Sequence, residues 1–285
     1  MLSLKVVRRR IRSVTSSKQI TKAMEMVAAA KLRRAQTRVL AARPYAVKIS
    51  EMLDNLAGGA SDIELPLFKA REVRRTALVV ITASRGLCGA YNANVLREAE
   101  DRLRRAAPGS LSLVLVGRKA RDFFRRRRWP VLATYADVPS DTTLEFARAV
   151  TDDVIGRFLA GDVDRVEIVY TRFLSAMRRH VTTEVFVPIG AERAAGAEPA
   201  RDFIFEPDAP AIFAELLPRY ATAKMFAALA DARASEESAR MMAMGAATKN
   251  AGELLDQLVM ARNRARQSMI TKEILDIVGG AEALR

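Results

Sequence analysis

The residues of this chain best suited to chemistry sit in one short loop, Ser84-Arg-Gly-Leu-Cys-Gly89, directly after an apolar run that ends near Thr82. A glycine loop between a strand and a helix is where α/β folds hold phosphate, because unpaired backbone N–H groups converge there. Gly86 and Gly89 lack the G-x-G-x-x-G spacing, and no Gly-Lys-Ser/Thr follows, so a structural turn is expected rather than a nucleotide site. Cys88, the only cysteine, needs a nearby base to act as a nucleophile, and the only histidine, His180, is about 90 residues away in sequence. With one Cys and one His there is no internal disulfide and no His/Cys metal cluster. His180 is expected at the start of a strand, Arg125 to Arg128 as a solvated helix end, and the methionines as core or seam residues. No catalytic constellation emerges, and no cofactor is expected.

The elements that must position these residues fall into three parts. From Leu4 to Leu56 apolar residues alternate at spacings of three and four: Leu4, Val7, Ile11 and Val14, then, after an offset near Ile20, Met24 and Val27, Leu32, Ala35, Val39, Ala42, Ala46, Ile49, Leu53 and Leu56. That is a coiled-coil seam. Pro44 should bend or weaken one turn, and Gly58, Gly59 and Ser61 end the helix. The Arg-rich Met1 to Val14 shares the seam and is read as mature protein rather than as a transit peptide.

Between Arg75 and Ile189 strands are predicted at Thr76 to Thr82, Leu111 to Gly117, Val131 to Tyr135, Arg165 to Phe173 and Thr182 to Pro188. Helices are predicted at Asn92 to Ala106, Lys119 to Arg127 and Thr142 to Leu159. This alternation argues for a largely parallel sheet. Ala191 to Ala200 reads as a polar, mobile connection. A second long helix follows, with Asp208 as cap and Pro210 in its first turn, and Pro218 as a possible kink. Its stripe runs through Phe213, Leu216, Tyr220, Ala223, Ala227, Ala230 and Ala234 to Ala265 and Met269, broken only at Glu237, Thr248 and Arg262.

A helix of about 75 residues is about 110 Å long, whereas a globule of this chain length is roughly 50 Å across, so the helix is expected to protrude. The predicted fold is α+β/α: a long antiparallel coiled coil of the N- and C-terminal helices with an inserted α/β (Rossmann-like) domain. The division is 1–57 for the N-terminal coiled-coil helix, 74–190 for the α/β base domain and 209–285 for the C-terminal coiled-coil helix.

Charge is uneven. Residues 1 to 50 hold 13 Lys or Arg against one acid, Glu25, or +12 of the chain's total of +14. Such a segment calls for a polyanionic partner. A basic coiled-coil nucleic-acid binder is one reading, but the seam needs a helical partner and no stacking aromatics interleave with the charges. An α/β enzyme is a third, resting on the Gly86 loop alone. No apolar run approaches the roughly 18 residues of a membrane span.

Three stretches are recognisable. Ile20-Thr-Lys-Ala-Met-Glu-Met-Val-Ala-Ala-Ala-Lys-Leu-Arg-Arg-Ala-Gln36, continued by Arg43-Pro-Tyr-Ala46, closely resembles the N-terminal helix of F-type ATP synthase gamma subunits. Arg85-Gly-Leu-Cys-Gly-Ala90 looks like the family's loop after its first strand. Ile270-Thr-Lys-Glu-Ile-Leu-Asp-Ile-Val-Gly-Gly-Ala-Glu-Ala283, preceded by Ala265-Arg-Gln-Ser268, is similar to its C-terminal signature. The middle, from Ala90 to Pro207, carries only general pattern similarity.

The resemblance implies a non-catalytic central-stalk rotor subunit, transmitting torque between a membrane c-ring and a catalytic ring of alpha and beta subunits, with epsilon at its base. It would regulate ATPase activity and ion flow from the cytoplasmic face of the cell inner membrane, as a peripheral subunit that binds no nucleic acid. It also implies that Met24 and Cys88 face the acidic lever loops of beta, and that Arg266, Gln267 and Thr271 meet a beta catch loop. Met269, Ile270, Ile274, Leu275 and Leu284 would form an apolar collar at the tip. Lacking the cysteine-bearing insertion of chloroplast members, the chain is expected to be bacterial, reduced and free of thiol regulation.

Overall fold

Short β-rich apolar runs in the middle of the chain, and apolar residues at spacings of three and four at either end, lead to two kinds of packing. The computed structural model describes residues 4–59, 66–68, 71–189 and 209–282. In chain order the elements are α1 (Leu4–Gly59), β1 (Thr76–Ile81), α2 (Tyr91–Arg105), β2 (Leu111–Val116), α3 (Arg118–Arg125), β3 (Val131–Tyr135), α4 (Leu144–Leu159), β4 (Arg165–Phe173), β5 (Arg179–Val187) and α5 (Ala209–Glu282). Asp208, Ser61, Leu284 and Ala191 to Ala200, each given a role above, lie outside the described residues. So do the side chains of Ala42, Ala46 and Leu56. α1 continues through Pro44, and α5 begins at Ala209, beside the expected cap and first turn, and continues through Pro218.

The residues group into two compact units, Met1–Ala28 with Arg240–Arg285, and Ala29–Ala239. In the second unit the five strands lie in the order β3-β2-β1-β4-β5. β1 pairs in parallel with β2 and β4, and β2 with β3, while β4 and β5 form an antiparallel hairpin. The expected largely parallel sheet thus has one antiparallel edge. β5 starts at Arg179, three residues before the predicted Thr182, because Phe173 to Val166 of β4 offer partners along that whole length.

Side chains alternate across the pleat. Ala77, Val79 and Ile81 of β1 face α4 (Val150, Val154, Phe158) and α5 (Phe213, Leu217, Met225), while Leu78 and Val80 face α2 (Val95, Ala99, Leu103) and α3 (Ala120, Phe124). Leu53 of α1 joins the first of these cores. Strands buried on both faces explain the unbroken apolar run of β1.

In the first unit the two helical segments run antiparallel. Lys18 lies against Gly252, Thr21 against Thr248 and Glu25 against Gly245, so that position numbers rise on one segment as they fall on the other.

Candidate functional site

The loop after β1 stands at the carboxyl end of the sheet, where a ligand would sit if there were one. The backbone that borders it is bonded within the fold. The N–H of Lys119 donates to the Ala83 carbonyl at 3.2 Å, and the N–H of Ala120 to the Thr82 hydroxyl at 2.9 Å, so the start of α3 is capped from within. That close approach requires Gly117, with φ of +96°, because a Cβ there would lie 2.3 Å from the Thr82 carbonyl oxygen. The N–H of Ala83 donates to the Asn92 side chain at 3.0 Å. The loop turns on Leu87 (φ +61°) and Gly89 (φ +56°).

The space above the strand ends is filled by α5. The Tyr91 hydroxyl donates to the Ala232 carbonyl at 3.0 Å, and the Ser235 hydroxyl to the Thr171 carbonyl at 3.0 Å. Cys88 is 2% exposed, packed with Ala83, Tyr91 and Ala239, and its sulfur accepts a hydrogen bond from the Asn92 amide at 3.1 Å. A ligand crevice has become a helix-docking seat. Nothing in the sequence marks Ser235 for this role, since an isolated serine in an alanine-rich helix carries no periodic signal.

The remaining chemistry-bearing residues are dispersed. His180 is exposed on β5 opposite Arg172. In the Arg125 to Arg128 run all four are exposed, with Arg127 stacked over the Phe123 ring at 3.5 Å and paired with Glu100 at 3.2 Å. Among the described residues no group of three or more His, Cys, Asp or Glu could hold a metal ion, and no helix is long and apolar enough to cross a membrane.

Met24 lies half-buried in the first unit, and the structure corrects the seam around it. Ile20 and Val27, where an offset in the seam was expected, are 57% and 54% exposed. The spacing of three and four instead continues without an offset from Val14 through Lys18, Thr21 and Glu25 to Ala28, which is 1% exposed. Insisting on apolar residues hid three polar layers that the spacing alone would have found. The Thr21 and Thr248 hydroxyls are 2.9 Å apart, and each also reaches a carbonyl of its own helix, Lys18 at 3.1 Å and Met244 at 2.8 Å. Glu25 pairs with Lys22 at 3.3 Å and lies over Gly245, where an added Cβ would stand 3.5 Å from its carboxylate.

Toward the end of α5, Arg266, Gln267 and Thr271 are all exposed, and the Thr271 hydroxyl donates to the Gln267 carbonyl at 3.0 Å. Between and beyond them Met269, Ile270, Ile274, Leu275, Ile277 and Val278 are 44% to 71% exposed. An apolar helix end of this kind, on a chain whose ligand crevice is closed, is built for contact with other chains.

A family model described as ATP synthase matches residues 3–284. The ATP synthase gamma chain of Moorella thermoacetica is 46% identical over 285 residues, covering 100% of both chains. This chain belongs to the ATP synthase gamma family. Its fold matches a chain in the Tetrahymena thermophila mitochondrial ATP synthase central stalk and c-ring structure, at TM-score 0.65 and 25% identity, over 80% of this chain and 99% of that one. It also matches a chain of the Euglena gracilis mitochondrial ATP synthase, at TM-score 0.71 and 20% identity, over 99% of this chain and 94% of that one. These likenesses give no support to the nucleic-acid reading.

Proposed function

We propose that this gamma-family chain is the central-stalk rotor subunit of an F-type ATP synthase, carrying torque between a membrane c-ring and a catalytic ring of alpha and beta subunits. The observation that carries the reading is the family match from residue 3 to residue 284, which takes in both long helices and the sheet between them. The subunit does no chemistry of its own. The seating of α5 across the strand ends, through Tyr91–Ala232 and Ser235–Thr171, supports that part.

The working division is 1–57, 74–190 and 209–285, with epsilon joining the middle part and the c-ring below. The chain is then peripheral, on the cytoplasmic face of the inner membrane, and governs ATPase activity and ion flow by holding the catalytic sites in different conformations at any instant. Met24 faces the acidic lever loops of beta, and Arg266, Gln267 and Thr271 meet a beta catch loop; their half or full exposure supports this. Cys88 takes part only indirectly, because its thiol is buried. Leu87, 61% exposed on the same loop, makes the contact in its place.

Reconstitution tests the reading. The chain should copurify with alpha and beta subunits at a fixed ratio, and a label on it should rotate when ATP is supplied. ATP hydrolysis by such a complex with a stationary label would refute the rotor role.

A further inference from the structure

Within the second unit a cavity of about 200 Å³ opens between α1, α5 and the loop that leads into α4. Lys31, Arg34 and Arg38 line it from α1, at spacings of three and four that put them on one helix face, and Arg233 closes it from α5. Ala35 and Ala230 form a small-residue floor, which leaves room for a ligand between the charged groups. Four cationic side chains meet a single lining carboxylate, Asp141.

The cations are not equally engaged. Arg38 is bonded to Asp141 at 2.9 Å, and Arg233 to Glu236 and Glu237 at 2.8 and 3.0 Å. Lys31 and Arg34 form no ion pair with any described residue. Ser140 and Thr142, both hydroxyl-bearing, complete the lining beside Asp141. Asp141 reports the field: its carboxyl is held below the usual carboxylate range first by the hydrogen bond from Arg38, and then by the charges of Arg38, Arg233 and Arg34. Three guanidinium groups from two helices therefore act on one point.

We propose that this cavity is a binding site for a small, multiply charged oxyanion of the phosphate class. Lys31 and Arg34 supply the charge that Asp141 leaves uncompensated, and Ser140 and Thr142 donate to the remaining oxygens. A tetrahedral dianion suits the site better than a carboxylate, because a carboxylate has two acceptor oxygens for four convergent donor groups. Occupation would tie α1 to α5 and to the loop before α4, and would mask part of the basic face of α1.

The test is titration of inorganic phosphate into the purified full-length chain by calorimetry, at constant ionic strength so that screening does not change. One saturable site per chain is expected, weakened at least about tenfold in Lys31→Gln/Arg34→Gln. The double variant Arg125→Gln/Arg126→Gln removes the same net charge from an exposed helix end and should bind as the unaltered chain does. Far-ultraviolet circular dichroism checks that each variant keeps its helices. Equal weakening in both double variants would show a response to net charge alone and overturn the proposal. Absence of saturable binding, with an acidic peptide still bound through Lys31 and Arg34, would overturn it in favour of a protein partner.

Discussion

Replacing Gly245 tests the pairing of Glu25 with Gly245, and with it the register of the two helices in the first unit. An added methyl would stand 3.5 Å from the Glu25 carboxylate, an ordinary contact distance. Gly245→Ala should therefore gain the helix-propensity difference without a steric cost, stabilising the chain by about 0.8–1 kcal/mol. Gly245→Leu should do the opposite. Its branched end occupies the place of the carboxylate, and overpacking costs about 1–3 kcal/mol. The displaced Lys22–Glu25 pair, whose side chains are 56% and 27% exposed, adds no more than about 0.5 kcal/mol. Denaturant unfolding followed by helical ellipticity gives each value, and the double variant Glu25→Ala/Gly245→Leu completes a cycle. Removing the carboxylate should restore most of the loss, a coupling of about 1 kcal/mol or more, whereas Lys18→Ala, one heptad away and opposite Gly252, should couple by less than about 0.5 kcal/mol. Equal coupling to both positions, or a destabilising Gly245→Ala, would refute the register.

Three further outcomes are expected. Met24→Lys places a charge beside the acidic levers of the proposed complex, adding a pair of about 1 kcal/mol that must break as the shaft turns. Assembly and ATP hydrolysis should survive while ion transport per ATP falls; Gln267→Leu should lower both activities together, and normal coupling in Met24→Lys would remove it from the lever contact. Tyr91→Phe deletes the hydrogen bond to Ala232 from a residue 4% exposed, and should lower the denaturant midpoint by the equivalent of about 1 kcal/mol at unchanged slope; an unchanged midpoint would show that the bond anchors nothing. The Tyr135 phenol is pushed up from 10.0 to about 12, by burial first and then by Asp153, which accepts its hydrogen bond at 3.1 Å. The unfolded chain then loses that proton first as pH rises, so stability should fall from pH 10 toward 12, and the fall should shrink in Tyr135→Phe. Tyr170, raised by burial too, contributes the remainder.

Sequence alone determined the classes of element and what they were for. The short apolar runs gave the strands to within three residues, because a strand buried on both faces has few other compositions. The spacing of three and four gave the long helices, because only a helical partner can cover so narrow a stripe. Motifs at both ends gave the family. The tertiary structure decided what depends on approach between distant segments. The antiparallel edge of β5 is a pairing choice that composition does not encode, and the burial of Cys88 follows from α5 lying across the strand ends. The polar layers at Lys18, Thr21 and Glu25 were in the sequence as spacing but not as hydrophobicity. A threonine or a glutamate reads as a surface residue until the glycine or hydroxyl that receives it is brought opposite, about 220 residues further along the chain. The four cations around Asp141 follow the same rule, since three come from α1 and the fourth from α5, and only packing makes them one cluster.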